Sequence, residues 1–407
     1  MAGCHPSSSR QPAASPPSQP ATSVALMTTA ALARLLQGST GVARAVLSRH
    51  TDAITNLAVE EWLFKRCAGP LLFMYRNAPA IVLGRNQNPW KQCRMQGLRS
   101  AGVELARRCS GGGTVYHDLG NTNFCFLGSK QALGDKDGRQ AHADLVQAAL
   151  QSRFGVPCTV SDRMDLVVSS GGPPQFAGAK FSGAAFRVSG GRAYYHGTLL
   201  LSADLAALEH LLYIDGAGSN TVSIQGRDTA SVRAPRGVVN LSQLVAGPVD
   251  HDTACQAIAE QWATQTGRRL EVVELPFDEV LAGDNTVPGA AAENEKFRSN
   301  EWVFGGSPPF SARISGSVPD CAANQMHPDV TIEVKRGCII GVSIDRNHAC
   351  AIDAAKHEQL LLRSIVGLPF LSSSFSAAAT RIADASEITS SFSSLLDHCC
   401  QQMRSIE

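Results

Sequence analysis

The sequence holds twelve cysteines but no Cys-x-x-Cys pair, and only Cys399 and Cys400 lie close together. That spacing supports neither a zinc site nor a small disulfide framework, and it fits free thiols in a reducing compartment. No window reaches the roughly 18 to 20 uninterrupted apolar residues of a membrane helix. Neither sign of charge predominates: 36 Lys and Arg stand against 35 Asp and Glu, a formal net charge of +1. This balance argues against a protein that lives by coating nucleic acid, although localised basic sites remain open. No internal repeat is visible.

Residues 1–51 lack Asp, Glu and Lys altogether, yet contain Arg10, Arg34, Arg44 and Arg49 among many Ala, Ser, Thr and Pro. This bias matches an organelle transit peptide better than a secretory signal, which needs a compact apolar stretch after basic residues. Residues 24–36, "VALMTTAALARLL", read as the amphipathic helix of a mitochondrial presequence. The expectation is a disordered leader over 1–49 and a protein of the mitochondrial matrix, with the plastid as second choice.

What is present is ordinary for a globular protein: 407 residues, 44% hydrophobic and 17% charged, long enough for two domains. "TNLAVEEWLFKRC" reads as a helix capped by Thr55 or Asn56. "LLFMYR" and "AIVLGR" read as a strand, a turn and a strand. "PWKQCRMQGLRSAG" reads as helical, "VELARR" and "TNFCFLG" as strands, and residues 144–154 as a helix. Residues 179–212 read as two strands about Gly190 and Gly191 followed by a helix, and 216–237 as a mobile loop. "HDTACQAIAEQWATQTG" and "LEVVEL" close a larger domain over 50–285. A smaller α+β unit follows over 286–407, with a hairpin in "TIEVKRGCIIGVSID" and a terminal helix from about Ser386. Strands alternating with helices predict an α/β or α+β fold with mixed sheets.

The chemistry concentrates in "RRCSGGGTVYHDLGN", residues 107–121. Consecutive glycines mark a turn or a close backbone approach to a ligand. These sit between two strands, not at the start of a helix, and no Gly-Lys-Ser/Thr follows, so neither a Walker A loop nor the dinucleotide fingerprint applies. The loop's N–H groups can face a ligand, with Arg107 or Arg108 and His117 placed to meet a phosphate; solvated arginines on a plain turn are the alternative. A second constellation, "AKFSGAAFRV" followed by "YYHGTLLLS", sets Lys180 among Ala179, Ser182, Gly183 and Ala184 rather than in a run of charge. Cys109 lies inside the loop, but no histidine adjoins it to activate a thiolate.

These segments together resemble the lipoate–protein ligase and mitochondrial lipoyltransferase family. The resemblance rests on "TNLAVEEWLF", "NAPAIVLGRNQNPWKQC", "RRCSGGGTVYHDLGNTNFCF", "DRMDLVV", "AKFSGAA", "YHGTLL" and "NEWVFGGSPPF", which run in family order over about 50–400. It implies a biotin-ligase-like α/β catalytic domain with a small C-terminal accessory domain. It implies a substrate, lipoyl-AMP, with no tightly bound cofactor, no metal, and Mg-ATP only in a ligase. The acceptors implied are lysines on apo lipoyl domains of 2-oxoacid dehydrogenase E2 subunits and on the glycine-cleavage H protein. Neither nucleic acid nor membrane is an expected partner, and a monomer is expected.

By position, the resemblance makes Arg108, Ser110, Gly111, Gly112, Gly113 and His117 the wall of the lipoyl and adenylate channel. Lys180 becomes the family's single lysine at the lipoyl carbonyl and phosphate. Tyr116, Arg163 and Thr198 match adenylate contacts, Asp165 matches an acidic residue before that lysine, and Thr229 matches the adenylate-binding loop. The sequence departs from the family where Tyr195 replaces the first of two adjacent histidines and leaves His196, and where residues are inserted around 169–178 and 224–236. A lipoyltransferase, an ATP-dependent lipoate–protein ligase and a non-catalytic binder of acyl nucleotides or lipoyl domains are the readings left, with octanoate or biotin as other acyl groups.

Overall fold

The computed structural model describes residues 25–26, 29–37, 41–134, 138–212, 222–227, 236–282, 289–315, 328–345, 354–383 and 390–406. Its largest sheet has seven strands, in the order Ala25–Leu26, Arg269–Glu274, Val42–Leu47, Leu71–Tyr75, Asn121–Ser129, Arg192–Leu200 and Ala184–Ser189. The first four are mutually parallel and the rest antiparallel, so the sheet is mixed. Helix Gly138–Phe154 packs against helix His251–Thr266, and buried residues of both join the core on one face of the sheet. Helix Ala53–Arg66 joins the core on the other face through Val59, Trp62 and Leu63. This is the α/β class expected from the alternation of elements.

Three small sheets complete the molecule. Ala80–Leu83 pairs in parallel with Glu104–Arg107 and antiparallel with Val115–His117. Leu166–Val168 lies antiparallel between Cys158–Val160 and Lys180–Ser182. Val222–Gly226, Phe310–Ile314, Val330–Lys335 and Cys338–Ile344 form an antiparallel sheet.

Several expectations change. Leu71–Tyr75 and Ala80–Leu83 are strands, but they enter different sheets and form no hairpin. The helix at 53–66 is capped by Asp52, whose carboxylate accepts from the Thr55 N–H at 2.7 Å, not by Thr55 or Asn56. Part of the expected mobile loop is the strand Val222–Gly226, which pairs with Phe310–Ile314 across the boundary drawn at 285. The apolar core also crosses that boundary: Ile81, Leu83 and Trp90 cluster with Phe310, Ile332 and Phe370.

The disordered leader needs the largest correction. Val42–Leu47 is an inner strand of the seven-stranded sheet, with Ala43, Ala45 and Val46 fully buried. Arg44, counted as part of a basic leader, pairs with Glu271 on the adjacent strand at 2.9 Å. Within the stretch read as an import helix, residues 29–36 lie in the helix Thr29–Gln37, whose Leu32 and Leu36 join the core with Trp62 and Leu63.

Candidate active site

A cleft of about 850 Å³, counted out to its open mouth, lies between the seven-stranded sheet and two of the small ones. Gly112, Gly113, Thr114 and Val115 form one wall, and Lys180, Gly183, Ala184 and Thr198 another. Arg163 and Asp165 stand at the Lys180 side, and Arg108, His117, Asn123 and His196 are among the remaining lining residues. A smaller apolar pocket of about 440 Å³, lined by Phe124, Met164, Leu166 and Tyr195, adjoins it and shares Ala184, Ala185 and His196.

Strand pairing explains why Asp165 and Lys180 meet. Lys180 lies opposite Val167 in an antiparallel pair, which brings the residue just before Leu166–Val168 close to the ammonium. The turn ahead of it is tight: Met164 N–H donates to the Ser161 carbonyl at 2.8 Å, and Met164 takes a left-handed φ of 64°. The result is a Lys180 Nζ to Asp165 Oδ1 ion pair at 2.9 Å. A Cβ on Gly183 would stand 2.8 Å from Lys180 Nζ, so the glycine leaves room for the ammonium. Thr198 Oγ1 accepts from the Gly183 N–H at 3.2 Å and fixes the same turn.

Only one glycine of the triplet needs its conformational freedom, Gly112 with φ 86°. Its carbonyl packs directly on Gly84, where a Cβ would lie 2.0 Å from the oxygen. Substituting Gly84→Ala is therefore expected to push the loop into the cleft and weaken binding of the acyl adenylate that the sequence resemblance implies at least about tenfold, a loss near 1.4 kcal/mol, measurable by calorimetry. Unchanged affinity in a folded variant would refute this assignment.

The two arginines correct the expectation of phosphate ligands. Arg107 is buried and donates to the carbonyls of Gly84, Arg85, Gln87 and Val303 and to Ser307 Oγ. It fastens the loop to the C-terminal part of the chain. Arg108 donates to the carbonyls of Val82, Gly111 and Gly113, at 3.0, 2.7 and 2.6 Å, and to Ser110 Oγ. The loop folds around this guanidinium, which lines the cleft but spends most of its N–H groups on backbone. Burial lowers its pKa to about 10, still a cation at neutral pH.

Strand alternation separates the other loop residues. Val115 and His117 face the cleft, whereas Tyr116 points the other way into the core with Ile81, Leu83 and Met95, which removes it as a direct adenylate contact. Ser110 faces His196 Nε2 at 2.8 Å, and His196 Nδ1 lies 3.0 Å from Glu60 Oε1. Tyr75 donates to Glu60 Oε2 at 3.2 Å. Ligand atoms of Glu60, Cys125 and His196 lie within 4.8 Å of one another, but these hydrogen bonds already occupy the carboxylate and imidazole. We read the group as a hydrogen-bonded core rather than a metal site. Burial, reinforced by Glu61, pushes the Cys109 thiol up to about 12, which leaves it protonated and unreactive. Thr229 lies outside the described residues.

His117 is also not a cation. Burial, with the charge of Arg108, lowers its pKa to about 3, and burial lowers that of His251 to about 4. Both stay neutral in the folded protein at pH values where the unfolded chain, with histidines near 6.5, takes up protons. Their stabilising contribution is complete above about pH 6.5 and is lost as pH falls toward about 4 and then 3. The urea midpoint is thus expected to drop steadily from pH 7 to pH 4, and less steeply in His117→Gln. Parallel profiles for the two proteins would contradict the neutral assignment.

Sequence reading left out Glu60, Asn77, Asn123, Gly183 and His196 as site residues. Two adjacent acids inside the otherwise apolar run at 57–64, "LAVEEWLF", were the signal the sequence offered for Glu60.

The model of the lipoyl protein ligase A/B catalytic domain matches residues 52–263. The chain belongs to the lipoyl protein ligase A/B catalytic domain family. The match spans the glycine loop, Asp165, Lys180 and Thr198. Solved structures of this family share the fold at low identity. LipL1 of P. falciparum, solved in complex with lipoate, has 19% identity and a TM-score of 0.51 over 89% of this chain and 99% of its own. A chain from the bipartite lipoate protein ligase and E2 lipoyl domain system of Thermoplasma acidophilum has 20% identity and a TM-score of 0.52 over 64% of this chain and 96% of its own. Lipoate-protein ligase A bound with ATP has 20% identity and a TM-score of 0.50 over 64% and 98%. No helix among the described residues is long and apolar enough to cross a membrane.

Proposed function

We propose that this chain transfers a lipoyl group onto one lysine of an acceptor lipoyl domain, with lipoyl adenylate or a lipoylated carrier protein as donor. The observation that carries the reading is the Lys180–Asp165 pair at the wall of a cleft closed by the Gly112 loop, inside the stretch that matches the family. Lipoyl adenylate is a mixed anhydride, already activated, so the protein must position it and stabilise charge, without a nucleophile of its own. From lipoyl adenylate, the acceptor amine forms the new C–N bond at the acyl carbon, the C–O bond to phosphate breaks, AMP departs, and the amine's proton goes to solvent; from a lipoylated carrier, the carrier's amide C–N bond breaks instead and its lysine amine leaves with the proton. Lys180 stabilises the carbonyl oxygen and departing phosphate, and Asp165 orients its ammonium. A cation at this place also lowers the pKa of the incoming lysine, ordinarily about 10.4, and so raises its reactive fraction.

The E2 lipoyl domain described with the Thermoplasma ligase supports acceptors of that kind, and we extend the proposal to the glycine-cleavage H protein. The ATP-bound relative supports a second reading, in which the chain also makes the adenylate from lipoate and Mg-ATP. Purified full-length chain, incubated with an apo lipoyl domain and each donor in turn, separates the two. Modification from lipoyl adenylate or a lipoylated carrier alone means transferase, modification from lipoate with Mg-ATP as well means ligase, and none from any donor refutes both. For localisation we propose the mitochondrial matrix; a fluorescent fusion of residues 1–49 that stays outside mitochondria would refute it.

A further inference from the structure

Two polar residues lining the cleft each bury an atom that has no partner: His117 Nε2 and Asn123 Nδ2. Both residues are more than nine-tenths buried. An unpaired buried donor costs free energy, so its presence on a binding cleft points to an acceptor brought by the ligand.

The tautomer of His117 is set from behind by a chain of side chains. Asn56 Nδ2 donates to the His50 carbonyl at 2.8 Å, and a backbone carbonyl can only accept. The amide is thereby oriented, with Asn56 Oδ1 accepting from Ser48 Oγ at 2.7 Å and Nδ2 also donating to Asn77 Oδ1 at 2.9 Å. Asn77 must then turn its NH₂ toward His117 Nδ1, 3.0 Å away. Nδ1 accepts, and the ring's single proton sits on Nε2. The Arg108 guanidinium, a cation close to the ring, disfavours a second proton.

We propose that His117 Nε2–H, together with the Asn123 amide, receives the acyl carbonyl oxygen of the bound adenylate, and that Asn77, held by Asn56, is the positioning residue that keeps the proton on Nε2. This inference rests on the lipoyl-transfer reading. The ground-state carbonyl oxygen is uncharged and suits two uncharged donors, while the Lys180 ammonium acts on the charge that develops on that oxygen during transfer and, with Arg163 on the same cleft, on the phosphate. Lipoyl and octanoyl groups carry the same carbonyl, so the two donors serve both acyl chains alike.

Nitrogen-15 NMR of the full-length, histidine-labelled protein reads the tautomer without any ligand. The His117 signal, assigned by its loss in His117→Gln, is expected to show the proton on Nε2. In Asn77→Asp the new carboxylate faces Nδ1 and is expected to draw the proton there. Calorimetry with lipoyl and octanoyl sulfamoyl-adenosine, non-transferable adenylate analogues, reads the site. His117→Leu and Asn77→Asp are each expected to weaken both analogues by about tenfold or more, while His117→Gln, which keeps an N–H, recovers part of the loss. A wild-type proton on Nδ1, unchanged affinity in both variants, or a loss confined to the lipoyl analogue would overturn the proposal. Failure of the wild-type chain to bind either analogue would overturn the transfer reading instead, and would be recognised by an Nε2 tautomer that is still present.

Discussion

Lys180→Met is expected to lower the single-turnover rate of lipoyl transfer from preformed lipoyl adenylate by about 100- to 1,000-fold, the usual effect of removing one group that stabilises developing negative charge. Methionine keeps the length and apolar stem of the side chain and removes only the cation. The backbone around it is held independently, because Lys180 N–H donates to the Gly237 carbonyl at 3.0 Å and its carbonyl accepts from Val239 N–H at 3.0 Å. The variant should therefore fold with little change in urea midpoint. Lys180→Arg should retain more activity than Lys180→Met, since the charge survives while its position changes. A rate within a few-fold of wild type for Lys180→Met would remove Lys180 from the mechanism, whatever else the cleft binds.

A comparably large effect, on stability, is expected at Arg107. Arg107→Met should lower the unfolding free energy by about 3 to 5 kcal/mol, because it leaves buried carbonyls and a hydroxyl without their donor. The Nε–H to Val303 carbonyl bond is 2.7 Å and the Nη1–H to Gln87 carbonyl bond 2.7 Å. Trp302 Nε1–H donates back to the Arg107 carbonyl at 2.8 Å, and a Cβ on Gly306 would stand 2.8 Å from Arg107 Cδ and Nε. The C-terminal segment Asn300–Ser307 is thus shaped around this one guanidinium. Urea unfolding checks the prediction, and a change under about 1 kcal/mol would show that Arg107 is no strut.

How far the site could be read in the sequence depends on how local each cause is. The glycine triplet announced a loop, and the small residues about Lys180 announced an ammonium close to backbone; both follow from neighbours within four positions. The meaning of the paired arginines is not local. Positive charge beside bare backbone reads as an anion site, but the acceptors that bury Arg107 come from Gly84 and from Ser307, far away in the chain. The neutral state of His117 has the same character, since it is decided by burial and by the Arg108 cation rather than by its neighbours in sequence. Tyr116 is different: its neighbours Val115 and His117 alternate with it along one strand, so its burial on the far side was legible from the pattern alone. The strand Val42–Leu47 was hidden by composition, because Arg44 counted toward a basic leader while its partner Glu271 lies in a strand more than two hundred residues on.

The assignment is tested most directly by mass spectrometry of an apo lipoyl domain after incubation with the full-length chain and lipoyl adenylate. A single modified lysine in the acceptor, formed at a rate that depends on the chain and falls with Lys180→Met, is the predicted result. An acceptor left unmodified by this chain, yet modified by another lipoate–protein ligase under the same conditions, would contradict it.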